Sequence, residues 1–256
     1  MGKDKFFIPF KKTIDKFSLP EKFSLFDDKL HTLCLLAAND LQTYLKNQEE
    51  WQHNFGLSTE DEDAIIGKMF GVLVVCNQQN EVGYIAAFSG KLAGENVHIK
   101  FVPPVFDSLT NGSFLNIGMR ELTRINEEIK KLEEQQSPNY KEQINFLKTT
   151  RKDNSTLLQK QLFNNYTFLN KAGEEKSLNE LFKNASYKNP PSGAGECAAP
   201  KLFQYAFKHK LKPIALAEFW WGQSPKSDTW KHKQFYPCCK EKCEPILAHM
   251  HDGIDN

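Results

Sequence analysis

The sequence predicts an α/β fold: a mixed sheet covered by helices, with an antiparallel helical hairpin inserted into it. Three observations carry this expectation. Two apolar runs, residues 69–76 and 82–89, are separated by the polar turn 77–81 and read as a β-hairpin with a five-residue loop. Apolar residues recurring at spacings of three and four before and after that hairpin read as amphipathic helices. Between about Phe114 and Phe163 the composition turns to Glu, Lys, Gln and Asn, and the apolar residues take a heptad-like spacing. A chain of 256 residues with 40% hydrophobic side chains has enough material for a sizeable core, which excludes disorder as its general state.

Taken in order, residues 1–28 are rich in Lys, Phe and Pro without a clear period, and read as an N-terminal arm lying over the body with its aromatics tucked in. From Leu30, the residues Leu33, Cys34, Ala37, Leu41, Tyr44 and Leu45 define a helix running to about Asn47, with one face for a sheet. The two strands that follow are apolar almost throughout, so both of their faces are expected to be buried under helices. A third strand is expected near 98–102, stopped by Pro103 and Pro104. The hairpin's first arm has its seam at Leu115, Leu122, Ile125, Ile129 and Leu132, and Ser137, Pro138 and Asn139 break it. Its second arm uses Ile144, Leu147, Leu157, Leu158 and Leu162, with a weak seam over 151–156, and the pair reads as a projecting, solvated spacer. After the loop 189–195 comes a helix over 197–209, which tolerates Pro200 in its first turn. A strand over 214–221, a lysine-rich loop and a last short helix starting at Glu244 and Pro245 complete the chain. The domains are then the arm 1–28, an α/β core of 29–113 with 164–256, and the hairpin 114–163.

Lys and Arg total 33 against 32 Asp and Glu, a net charge of +1, so nucleic acid or membrane binding needs a local patch. No apolar run approaches the roughly 18 residues of a membrane-spanning helix. The longest, 214–221, is interrupted by Glu218. The N-terminus lacks the apolar core of a signal peptide, and the expected location is the cytoplasm, with no membrane partner. In that reducing compartment the six cysteines are expected as thiols or metal ligands, and four of them fall between Cys197 and Cys243.

The sharpest constellation is Cys197, Cys239, Cys243 and His249. Soft thiolates with an imidazole suit zinc, and the set converges if a turn at Pro245 folds the last helix back. Cys238 is an alternative to Cys239, and simple burial of the thiols is the alternative to a metal site. Cys34 and Cys76 sit at apolar periodic positions and belong to the core.

The order of elements is that of zinc-dependent nucleobase deaminases, so the sheet is a candidate for a cytidine-deaminase-like fold. Those enzymes carry their acid/base carboxylate two residues after the first ligand, where this chain has Ala199. Glu196, just before Cys197, is the alternative catalytic carboxylate.

A basic and aromatic stretch, Lys208, Lys210, Lys226, Trp230, Lys231 and Lys233 with Trp220 and Trp221 between, suits RNA: lysines neutralise phosphates and exposed rings stack on bases. The competing reading is a solvated loop, with at least one tryptophan in the core. No Walker, Gly-x-Ser-x-Gly or His-Glu-x-x-His motif occurs.

The strings around Pro190–Lys201 (PPSGAGECAAPK), Ala217–Gly222 (AEFWWG), Ser224–Lys226 (SPK), Phe235–Pro237 (FYP) and Cys243–Leu247 (CEPIL) are similar to the N-terminal extension of long RluA-type RNA pseudouridine synthases. So are GKMFGVLVV at 67–75 and AFSGKL at 87–92. The resemblance runs from about Leu30 to Asp255. It implies an accessory RNA-binding or docking domain associated with modification of rRNA or tRNA, whose partners are that RNA or a pseudouridine synthase catalytic subunit. In that family the nucleophilic Asp lies in a His-Arg-Leu-Asp motif. This sequence lacks the motif, so the resemblance carries over no catalytic residue. The alternative reading is a zinc-dependent deaminase-like enzyme.

Overall fold

Helix α1 (Thr32–Asn47) starts where the sequence first gains an apolar stripe, and His31 caps it by accepting the Leu33 amide at 3.2 Å. The structure is a computed structural model that describes residues 4–11, 14, 19–20, 30–57, 67–107, 110, 112–136, 138–183 and 189–252. Much of the expected N-terminal arm and Ser137 lie outside the described residues. The chain divides into two compact units, Met1–Val105 with Thr167–Asn256, and Phe106–Tyr166.

The first unit is built on a five-stranded sheet in the order β1-β3-β2-β6-β7. Its strands are β1 (Ile8–Pro9), β2 (Lys68–Cys76), β3 (Val82–Phe88), β6 (Lys212–Trp221) and β7 (Phe235–Tyr236). The hairpin β2–β3 forms around the expected turn, with Cys76 opposite Val82. β6 lies on the other side of β2 and places Glu218 opposite Gly71.

One face of the sheet, with Phe70, Val72, Val74, Tyr84, Ala86 and Phe88, packs on Leu33, Cys34, Ala37, Ala38 and Leu41 of α1. The other face receives α5 (Ala198–Lys208), buried along nearly its whole length. Gly71 permits this close approach: a Cβ there would stand 3.0 Å from both the Ala198 Cβ and the Leu202 Cδ1. A two-stranded sheet of β4 (Thr167–Leu169) and β5 (Glu175–Ser177) and the helices α4 (Leu178–Phe182) and α6 (Lys240–His251) complete this unit.

The second unit holds α2 (Phe114–Gln135) and α3 (Tyr140–Asn165). Ile125, Ile129 and Ile144 form its core with Leu132, Tyr140 and Leu147 at the margin. Gly118 meets Leu158, and Lys148 pairs with Glu133 at 3.6 Å. Residues 151–156 are mostly exposed, yet α3 runs through them without a break.

Three expectations need correction. Every strand pairing in the described sheets is antiparallel, not mixed, because β6 enters against β2 in the opposite sense. The segment 98–102 is a turn: Val102 makes one backbone bond to the Ala86 carbonyl at 2.9 Å, and its two following prolines offer no further donors. Helix α6 begins at Lys240, four residues before the expected start, with Pro245 inside it. Among the described residues no helix is long and apolar enough to cross a membrane.

A candidate metal centre at the end of the sheet

Cys197 and Cys239 are the N-cap residues of α5 and α6, both in extended backbone geometry. The glycine-rich loop before α5 turns through Gly193 and Gly195 at φ of +75° and +87°, a conformation that favours glycine and feeds Cys197 into its cap position. Cys243 follows Cys239 by four residues, one helical turn, and so lies on the same side of α6. The result is convergence: the sulfurs of Cys197, Cys239 and Cys243 all lie within 4.8 Å of one another, and the Sγ atoms of Cys239 and Cys243 are 3.3 Å apart.

This cluster of three cysteines can hold a metal ion. Three sulfurs at the usual zinc bond length sit about 3.8 Å apart around a tetrahedral centre, close to the 3.3 Å of the Cys239–Cys243 pair and inside the 4.8 Å that bounds all three. The electrostatics point the same way. Hydrogen bonding from Cys197 and Cys243, with the Lys242 and Cys243 amides at the start of α6, holds the Cys239 thiol well below the usual range. Donation to Cys239 pushes Cys197 up, and donation to Cys197 and Cys239 pushes Cys243 up.

Glu218 reaches the same place from β6. Its side chain is buried, with 5% of the residue exposed, and its Oε1 accepts the Ala199 amide at 3.1 Å. Burial raises its pKa to about 7, against the lowering effect of hydrogen bonds from Cys238 and Ala199. The Cys238 thiol, pushed up first by burial and then by the Glu218 charge, is held on that carboxylate.

Lys201, 2% exposed, closes the other side. Its Nζ donates to the carbonyls of Phe88 at 3.0 Å and Gly90 at 3.2 Å, and stands 3.7 Å from the Glu196 carboxylate. The Glu196 carbonyl accepts the Gly90 amide at 2.8 Å, so the residue before Cys197 is tied to the end of β3 at both backbone and side chain.

Of the four expected ligands, three converge and His249 does not. Because α6 runs straight through Pro245, His249 stands six residues beyond Cys243, about 9 Å along the axis and on another side of the helix. Its Nε2 bonds the Phe168 carbonyl at 3.0 Å. Glu196, the alternative catalytic carboxylate, is directed to Lys201 and is not in the cluster.

The RNA candidates Lys208, Lys210, Lys226, Lys231 and Lys233 are all exposed. They form two groups, however. Lys208 and Lys210 precede β6, while Lys226, Lys231 and Lys233 follow it, and a ten-residue strand separates the groups by on the order of 30 Å. The second group shares its end of β6 with Glu218 and the cysteines. Lys231 pairs with Asp228 at 2.5 Å, and Lys233 stands over the Trp221 ring at 5.6 Å. Trp230 is half-buried, stacked on Trp220 at 5.9 Å with Tyr236 edge-on at 4.6 Å, so only part of its ring is free. Trp220 and Trp221 are both core residues.

Sequence reasoning did not name Glu218 or Lys201 as site residues. Each left a signal: Glu218 is the one charge inside the apolar run 214–221, and Lys201 lies on the buried face of the apolar helix α5. Comparison with family models, curated proteins and solved structures finds no match to the chain.

Proposed function

We propose that this chain is a zinc-clamped accessory domain of RNA pseudouridylation, which binds rRNA or tRNA for a separate catalytic domain. The observation that carries this reading is the convergence of Cys197, Cys239 and Cys243 from two helix caps at the end of β6 that also bears Lys226, Lys231 and Lys233. Zinc there joins α5 to α6, and with them fixes the loop of lysines and the Trp220–Trp230–Tyr236 aromatics. The resemblance to the extension of RluA-type synthases supplies the biological setting. Within it, the sheet with its flanking helices is a deaminase-like scaffold, and α2 with α3 an antiparallel hairpin inserted into that scaffold.

Fluorescence anisotropy with tRNA and rRNA fragments at two salt concentrations tests the reading. The combined variant K226E/K231E/K233E should lose most of the affinity and flatten the salt dependence, because each phosphate contact contributes to counterion release. The variant K208E/K210E, at the far end of β6, should bind almost as the parent does. Equal, weak binding by all three proteins would reject an RNA role and leave docking to a protein partner.

A further inference from the structure

We propose that Cys239 and Cys243 are a thiol pair that a hydroperoxide converts to a disulfide, and that this oxidation releases the metal. The disulfide rests on the sulfur geometry alone, and only its effect on the metal rests on the zinc reading above. The two residues lie one turn apart, the Cys239 carbonyl accepting the Cys243 amide at 3.2 Å. Four residues of helix rise about 6 Å, inside the roughly 4.4 to 6.8 Å between Cα atoms that a disulfide spans. Their sulfurs already stand 3.3 Å apart, so the bond closes within one turn of α6 and asks for no movement between elements. Cys197 belongs to the same cluster but caps α5, and its link to either sulfur would have to tie two helices together.

Exposure sets the order of events. Cys239 is half-buried whereas Cys243 is 1% exposed, so the peroxide meets Cys239 first. The Cys239 sulfur takes one oxygen and becomes a sulfenic acid, and the departing hydroxide leaves as water with the thiol's proton. The Cys243 thiol then attacks that sulfur. The S–S bond forms, the S–O bond breaks, and the hydroxyl leaves as a second water with the Cys243 proton. The two sulfurs have together given two electrons to the peroxide. Two of the three donors are thereby withdrawn, and Cys197 alone does not hold a metal ion between α5 and α6.

Trypsin separates the three sulfurs, placing Cys197 in peptide 189–201, Cys239 in 234–240 and Cys243 in 243–256. Cys238 shares the second peptide, so the full chain is tested as C238A. Chelator-treated C238A given hydrogen peroxide should yield peptides 234–240 and 243–256 joined, and a thiol reductant should part them. C197A/C238A should give the same product. Zinc-loaded C238A should release its zinc in step with the oxidation, two thiols lost for each zinc. Peptides that stay separate, oxides of Cys239 without a cross-link, or a link through Cys197 would overturn the proposal while sparing the metal reading. Zinc retained by the disulfide form would overturn the release. Disulfide formation in a chain that never takes up zinc would leave the thiol pair standing and overturn the metal reading.

Discussion

Glu218 carries its carboxyl at a buried point of β6, and the consequence is a stability that depends on pH in the metal-free protein. Its pKa rises from an ordinary 4.5 to about 7 on folding. Between those values the folded chain holds a proton that the unfolded chain has released, so stability is full below the lower value and falls as pH rises through the upper one. The loss from this carboxyl alone should accumulate to roughly 3 kcal/mol by about pH 8, opposed by the Cys239 thiol, whose lowered pKa adds stability as pH rises. The difference between the parent and E218Q in urea melts of chelator-treated protein at about pH 5 and about pH 8 isolates it, and E218Q should gain relative to the parent at the higher pH. At this scale the sequence was informative about the thiols and silent about their surroundings. Cys197, Cys239 and Cys243 were legible because their spacing survives any small error in element boundaries. His249 failed because its place depended on where α6 begins, and a proline suggested a start that the Cys239 cap pre-empts.

Helix α5 against β2 is the packing on which the site depends at the level of elements. Gly71 is the point of closest approach, and G71A would place a methyl group 3.0 Å from both Ala198 and Leu202, the turn that begins at the Cys197 cap. Overpacking of this kind should cost about 1 to 3 kcal/mol in denaturant melts and weaken metal retention at the same time. A stability change with metal retention untouched would show that α5 can shift without carrying Cys197. The β2–β3 hairpin was legible because two apolar runs and a polar turn are local features. The direction of β6 was not, since nothing within a strand's own residues specifies the sense of a neighbour about 140 residues away in the chain. The two-residue strands β1 and β7 also leave no periodic signal and form only because an edge was waiting for them.

At the scale of the whole molecule the chain forms two compact units, Met1–Val105 with Thr167–Asn256, and Phe106–Tyr166. Residues 106–166 have an interior of their own at Ile125, Ile129 and Ile144, and the cysteines, Glu218 and the lysines of the β6 end all belong to the other unit. Replacing Glu121 through Gln159 by a short linker should therefore leave a cooperative thermal transition and the full metal content. Loss of folding in that deletion would show that the helices stabilise the sheet. The near-zero balance of charge, +1, gives no indication of a nucleic-acid partner, so the proposed RNA face rests on a local group of exposed lysines, Lys226, Lys231 and Lys233.

The metal content of the purified full chain, set beside that of its single cysteine variants, tests the central claim most directly. The parent protein should carry one zinc per chain, C34A should retain it, and C197A, C239A and C243A should each lose most of it. A parent protein free of zinc, with Cys197, Cys239 and Cys243 all reacting as ordinary thiols after zinc is supplied, would contradict the account.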